Sequence, residues 1–155
     1  MDLTHLQSVL EDTFSNNFVA YYRAHVAHVN ITGPEFPEYH KMLQKVYEYF
    51  QDNIDTVAEK IRTVRGKMPT SLNTVLGIAT MEDKETEGTA DELLSTVLES
   101  LEVMIDQYHE LNDAAEAVNY IDISNYAQDF IGVLAKHRWM LESTLDERKE
   151  EEDEY

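Results

Sequence analysis

Helix-breaking residues are few in this chain and sit in clumps. Of its five glycines and three prolines, Gly33, Pro34 and Pro37 form one group, Gly66, Pro69, Gly77 and Gly88 a second, and Gly132 stands alone. Long tracts without either residue lie between the groups. In a chain that is 43% hydrophobic, such tracts read as helices that bury one face. Leu3, Leu6, Val9, Leu10, Phe14, Phe18, Tyr21 and Tyr22 recur at three-and-four spacing and predict a helix over residues 3–31. Gly33-Pro34 stops it, and Pro37 suits the first turn of a second helix reaching residue 65. Residues 71–80 are apolar but short, a small helix within a connection. A third helix over 89–119 opens with Thr89 and Glu92 at capping-box spacing, and a fourth spans 124–145. Gly132, inside the fourth, costs roughly 1 kcal/mol against Ala and reads as a point of close helix packing.

The expected fold is all-α: a four-helix bundle with one long crossover, between the second and third helices, carrying a short extra helix. At 155 residues the chain fits a single domain, over 1–145, followed by an acidic tail over 146–155 that reads as a disordered, solvated end. There is no strand pattern and no internal repeat.

Charge narrows the function. Thirty-one acids against 12 bases give −19, and since the tail holds 7 acids against 2 bases, the body still carries −14. Such a surface repels phosphate backbones and collects cations, so nucleic-acid binding is disfavoured. With no cysteine there is no disulfide framework and no thiolate chemistry, which fits a cytoplasmic protein. The first residues show no basic segment followed by an apolar stretch, so no signal peptide is expected. No run approaches the roughly 18 apolar residues of a membrane helix.

Six histidines without cysteine make any metal site one of nitrogen and oxygen ligands, suited to iron, zinc or manganese. His28, His40, Asp55 and Glu59 stand out. His25 and His28 share a helical face, as do Asp55 and Glu59, but either pair alone is more often ordinary surface. His40 and Asp55 lie on one helix, fifteen residues and so roughly 22 Å apart. They can meet at one ion only if two copies of that helix pack antiparallel about a two-fold axis, which requires a dimer.

The segment from His28 through Asn30, Gly33 and Phe36 to His40, followed by Asp55-Thr-Val-Ala-Glu59-Lys60, resembles the signature of the Dps family, the mini-ferritins. The spacings match without a gap, and Lys136-His-Arg-Trp-Met-Leu-Glu-Ser143 resembles that family's last helix. The resemblance implies a ferritin-like bundle assembled into a hollow homododecamer. It implies a ferroxidase centre across each two-fold interface, with His28 and His40 from one subunit and Asp55 and Glu59 from the other. Iron(II) would be oxidised there, preferably by hydrogen peroxide, and iron(III) mineral stored inside.

Three departures qualify this. Many members carry Asp four residues after the second His, where this chain has Gln44; an amide is the poorer ligand. Glu48 is nearby but lies about 80° around the helix from His40. Gln44 and Glu48 are therefore weaker metal candidates, and a storage shell with a weakened or non-catalytic centre is the alternative reading. Val29 replaces a common Trp, leaving Tyr21, Tyr22, Tyr39 and Tyr47 as candidates for its radical-quenching role. Finally, the only Lys or Arg before Lys41 is Arg23, so the basic tail of DNA-binding members is missing. Asp113, Glu116, Asp122 and Asp129 are candidates for an acidic route by which iron reaches the interior. A non-catalytic acidic bundle that binds a partner is the remaining option, opposed by the histidine and carboxylate spacing.

Overall fold

A computed structural model describes residues 1–153, with side chains described for residues 1–146. Five helices account for the architecture: α1 (Thr4–Asn30), α2 (Phe36–Thr63), α3 (Leu72–Ile78), α4 (Ala90–Ala117) and α5 (Ile121–Asp153). Four are long and α3 is short, lying within the crossover and against α1. α1 packs on both α2 and α4, and α4 on α5. This is the expected four-helix bundle with one crossover.

The boundaries follow local chemistry. Gly33, at φ +126°, makes the α1–α2 turn, a conformation that favours glycine, and its carbonyl accepts a 3.1 Å bond from the Phe36 N–H. The Thr89–Glu92 capping box is formed reciprocally at the start of α4. After α2, the left-handed position is taken by Arg65, at φ 68°, and not by the glycine beside it. Gly66 is instead a close-approach residue: an added Cβ would sit 2.9 Å from the Ile61 side chain.

Two expectations change. Gly132 is not a packing contact, because a Cβ there would meet nothing within 4 Å. α5 does not stop near residue 145 but continues to Asp153; Glu, Lys and Arg are good helix formers, and no Gly or Pro interrupts the run. Beyond Asp146, the side chains of the acidic tail lie outside the described residues.

The core is apolar along the helices, with Leu10, Leu43, Phe50, Val57, Leu101, Met104 and Leu134 fully enclosed. Its polar content is neutral apart from Arg23, and its amides are hydrogen-bonded. Asn53 (4% exposed) donates to Asn17 at 2.9 Å and to the Tyr108 hydroxyl at 2.6 Å, and accepts a short bond from the Tyr126 hydroxyl. Asn17 in turn donates to the Phe50 carbonyl at 3.0 Å. This network ties all four long helices together at mid-bundle. A second cluster pins the crossover: the Asn16 carbonyl oxygen accepts from Thr80 and Met81 backbone N–H groups at 2.9 and 3.0 Å, while its amide donates to Gln107 at 2.8 Å. Buried amides and hydroxyls so arranged are costly to orphan. Asn53→Ala is expected to lower unfolding free energy by about 2–4 kcal/mol, read as a drop in urea midpoint. A loss below about 1 kcal/mol would mean that water replaces the missing amide without penalty.

Candidate metal centre

His28 lies in the last turn of α1 and His40 near the start of α2, on either side of the Gly33 turn. Their rings stack with centroids 3.7 Å apart and planes at 17°. His28 Nδ1 lies 2.6 Å from the His40 carbonyl, and His40 Nδ1 lies 2.7 Å from the His28 carbonyl. A carbonyl oxygen only accepts, so both Nδ1 atoms carry the proton. In the neutral form each Nε2 then keeps its lone pair for a metal, the usual arrangement of ligand histidines oriented by a backbone carbonyl.

The surroundings reinforce this state. Phe36 stacks on His40 at 4.8 Å. Tyr47 sits 4.9 Å from the His28 ring and stacks on His25 at 4.1 Å, within 7° of parallel. The Tyr21 hydroxyl bonds His25 Nδ1 at 2.9 Å. Burial of His28, which is 7% exposed, is the main cause holding its pKa below the ordinary 6.5. The bond to the His40 carbonyl opposes that shift, the other two imidazoles add to it, and the Glu48 carboxylate opposes it more weakly. His28 is therefore uncharged at neutral pH.

Within one chain the candidate carboxylates do not meet the imidazoles. Asp55 and Glu59 are exposed on α2, and fifteen residues of unbroken helix put Asp55 roughly 22 Å along from His40. Among the described residues, no group of three or more His, Asp or Glu is placed to hold a metal ion. All the α2 candidates nevertheless share one face: at about 100° per residue, His40, Gln44, Glu48, Asp55 and Glu59 fall within an arc of about 100°. Gln44 and Glu48 are also joined, the amide N–H donating to a Glu48 carboxylate oxygen at 2.8 Å.

The bundle interior offers no substitute. A dimetal site inside such a bundle needs inward-pointing carboxylates. The buried polar residues described are Ser, Thr, Asn, Gln, Arg23 and His28, with no Asp or Glu among them. Among the described residues, the candidate imidazoles and carboxylates lie on α1 and α2 instead.

The family described as "Ferritin-like domain" matches residues 7–150. The chain belongs to the ferritin-like family, on its Dps branch. A "DNA protection during starvation protein" from Helicobacter pylori is 26% identical over 138 residues, covering 88% of this chain and 96% of the relative. Among solved structures, a Dps protein from Bacillus brevis superposes with a TM-score of 0.87 at 24% identity, covering 94% of this chain and 99% of the other. A Dps protein from Vibrio cholerae, described as a member of a broad superfamily of ferritin-like diiron-carboxylate proteins, gives the same score and identity, covering 94% and 93%.

Within that ferritin-like frame, the tyrosine candidates separate. Tyr21 and Tyr47 join the imidazole cluster, whereas Tyr39 is buried and Tyr22 is exposed, lining a surface cavity with Arg23, Leu72 and Leu76. Val29 is 61% exposed and fills no aromatic role. Asp113, Glu116, Asp122 and Asp129 are all exposed. Sequence reasoning weighed His25 only as a partner of His28; its stacking on Tyr47 depends on how α1 meets α2, and the i, i+4 spacing of Tyr21 and His25 was its one visible signal. Because the folded state resists protonating His28, acidification through pH 6.5 and below favours the unfolded chain, which takes up that proton first. In the metal-free protein, NMR is expected to show His28 titrating below 6.5 with its Nδ1–H tautomer retained; a midpoint at or above 6.5 would contradict this.

Proposed function

We propose that this protein oxidises iron(II), with hydrogen peroxide as the preferred oxidant, and stores the iron(III) product inside a hollow homododecamer in the cytoplasm. Its centre comprises His28 and His40 from one subunit and Asp55 and Glu59 from a second copy related by a two-fold axis. The observation that carries this reading is the paired imidazoles with their Nδ1 atoms bound to carbonyls, on the same face as two carboxylates that the length of α2 keeps out of their reach. Exposed apolar side chains on the outer faces of α1 and α3, Tyr22, Val29, Leu72 and Leu76, support coverage by a second copy.

Iron is substrate and cargo here. Neutral imidazole and anionic carboxylate suit iron(II), and the carboxylates favour the more highly charged product. Zinc or manganese fits the same donors and would compete with it. Two ferrous ions supply the two electrons that reduce one peroxide, with two protons, to two waters, which detoxifies the oxidant without releasing hydroxyl radical. A charge of −19 draws cations toward the shell.

DNA binding is not part of this function. Arg23, the one Lys or Arg before Lys41, is 4% exposed and donates to the Ser100 hydroxyl and the Glu82 carbonyl, so it is committed to holding the fold. A second reading, a storage shell with a weakened centre, draws support from the amide at position 44.

The trans arrangement has a direct test. Subunits carrying His28→Ala with His40→Ala, and subunits carrying Asp55→Asn with Glu59→Gln, should each form shells that oxidise iron(II) slowly. Shells co-assembled from both should regain roughly a quarter of wild-type activity, because half of random two-fold pairs are mixed and each mixed pair has one intact centre of two. No recovery in mixed shells would rule the shared centre out. In a gel shift at low salt, plasmid DNA should migrate unchanged with the wild-type protein, and retardation would overturn the exclusion of DNA.

A further inference from the structure

The residues that close α2 gather charge opposite in sign to the rest of the chain. Residues 60–81 hold four of its 12 bases and no acid. Lys60 is engaged, with Nζ 4.7 Å from the centre of the Tyr126 ring. Arg62 serves the helix end, Nη1 donating to the Gly66 carbonyl at 2.8 Å. Arg65 and Lys67 are exposed, and among the described residues neither pairs with a carboxylate.

The corner that carries them is firmly held. The Gly66 N–H donates to the Ile61 carbonyl at 2.9 Å and the Arg65 N–H to the Arg62 carbonyl at 3.0 Å, the pair of bonds of a Schellman ending. The left-handed position of such an ending is usually glycine, yet Arg65 takes it at φ 68° while Gly66 sits against Ile61. A long cation thus occupies a place where glycine would be less strained, an arrangement that points to a use for the charge. Gln7 ties the corner to α1, its amide donating to the Val64 carbonyl at 2.7 Å.

We propose that Arg65 and Lys67, with Arg62 beside them, form a docking surface for the acidic segment 146–155 of another copy of this chain. That segment has 7 acids against 2 bases, and residues 150–154 are five acids in succession, the densest such run in the sequence. Its charge complements the corner. No chain reaches its own corner. α5 runs antiparallel to α2, with Tyr126 bonded to Asn53 and Thr144 Oγ1 3.8 Å from Met42 Sδ. From Met42 to the end of α2 at Thr63 is roughly 30 Å, and α5 continues to Asp153 in the opposite direction. The contact therefore joins unlike patches on two copies. It requires only that copies meet and does not pass through the metal centre.

The test is carbodiimide coupling, which joins an amine to a carboxylate in contact with it. Full-length protein is co-assembled from equal parts of nitrogen-15-labelled and unlabelled chains, and cross-linked peptides are read by mass spectrometry. Lys67 should couple to residues 150–154, with mixed-label pairs present. The yield should fall several-fold between about 0.05 M and about 0.5 M salt, where the Debye length shrinks to roughly 4 Å. Arg65→Asn preserves the turn, because Asn tolerates the left-handed conformation, and it leaves the reporting amine in place. It should lower the yield about 3-fold, the effect of one exposed ion pair. Lys84, 3.5 Å from Glu99, serves as the internal control and should couple equally in both proteins. The proposal is overturned if Lys67 does not couple to the segment, if only single-label pairs form, or if the yield ignores salt or Arg65→Asn. His28→Ala should leave this cross-link intact while slowing iron oxidation, so failure of the docking surface and failure of the metal centre are read separately.

Discussion

The rigidity of α2 is the constraint on which everything else depends. It runs for 28 residues without interruption, and its two stripes do different work. Leu43, Val46, Phe50, Asn53, Val57 and Ile61 face the bundle, while the arc from His40 to Glu59 faces away from it. Because the first stripe is locked into the core, the second cannot bend to bring its ends together. The spacing of imidazole and carboxylate is thus set by the rise of a helix, and any ion needing both must recruit another molecule.

Most of the fold was legible because two simple signals agreed. Breakers marked the ends of helices, and apolar spacing marked their faces, so four long helices and one short one emerged at nearly their observed bounds. The exceptions are informative. A run of Glu, Lys and Arg reads as a solvated end, yet those residues favour helix once one is under way, and α5 continues through them. Gly132 suggested close contact, but the helix tolerates it with open space around it. The candidate site was proposed from residue types at set intervals, and of these the structure brings His28 and His40 together and leaves Asp55 and Glu59 apart from them. What could not be read was the reciprocal bonding of His28 and His40 through each other's carbonyls, because it exists only once the Gly33 turn brings α1 beside α2. The bond between Gln44 and Glu48 had visible i, i+4 spacing; helical projection described where Glu48 stands relative to His40 and said nothing of its partner.

The electrostatics divide sharply between surface and interior. The chain carries −19, yet no Asp or Glu is among the buried residues described, and Arg23 is the one permanently charged side chain there. Burial lowers the pKa of that guanidinium, while Glu99, Asp83 and Glu82 oppose the shift. Acid is thus kept where water solvates it and cations can find it, and the bundle centre is left to amides and phenols that satisfy one another.

That neutral centre separates folding from loading. In proteins whose metal ligands converge within one chain, the ion's binding energy is part of the folding energy, and chelation unravels the structure. Here the mid-bundle is held by hydrogen bonds among Asn53, Tyr108 and Tyr126. If an ion is held jointly by two copies, as proposed, linkage assigns its free energy to their association and not to the fold of either. Metal supply would then govern how firmly the subunits adhere, and the fold of each would not depend on it.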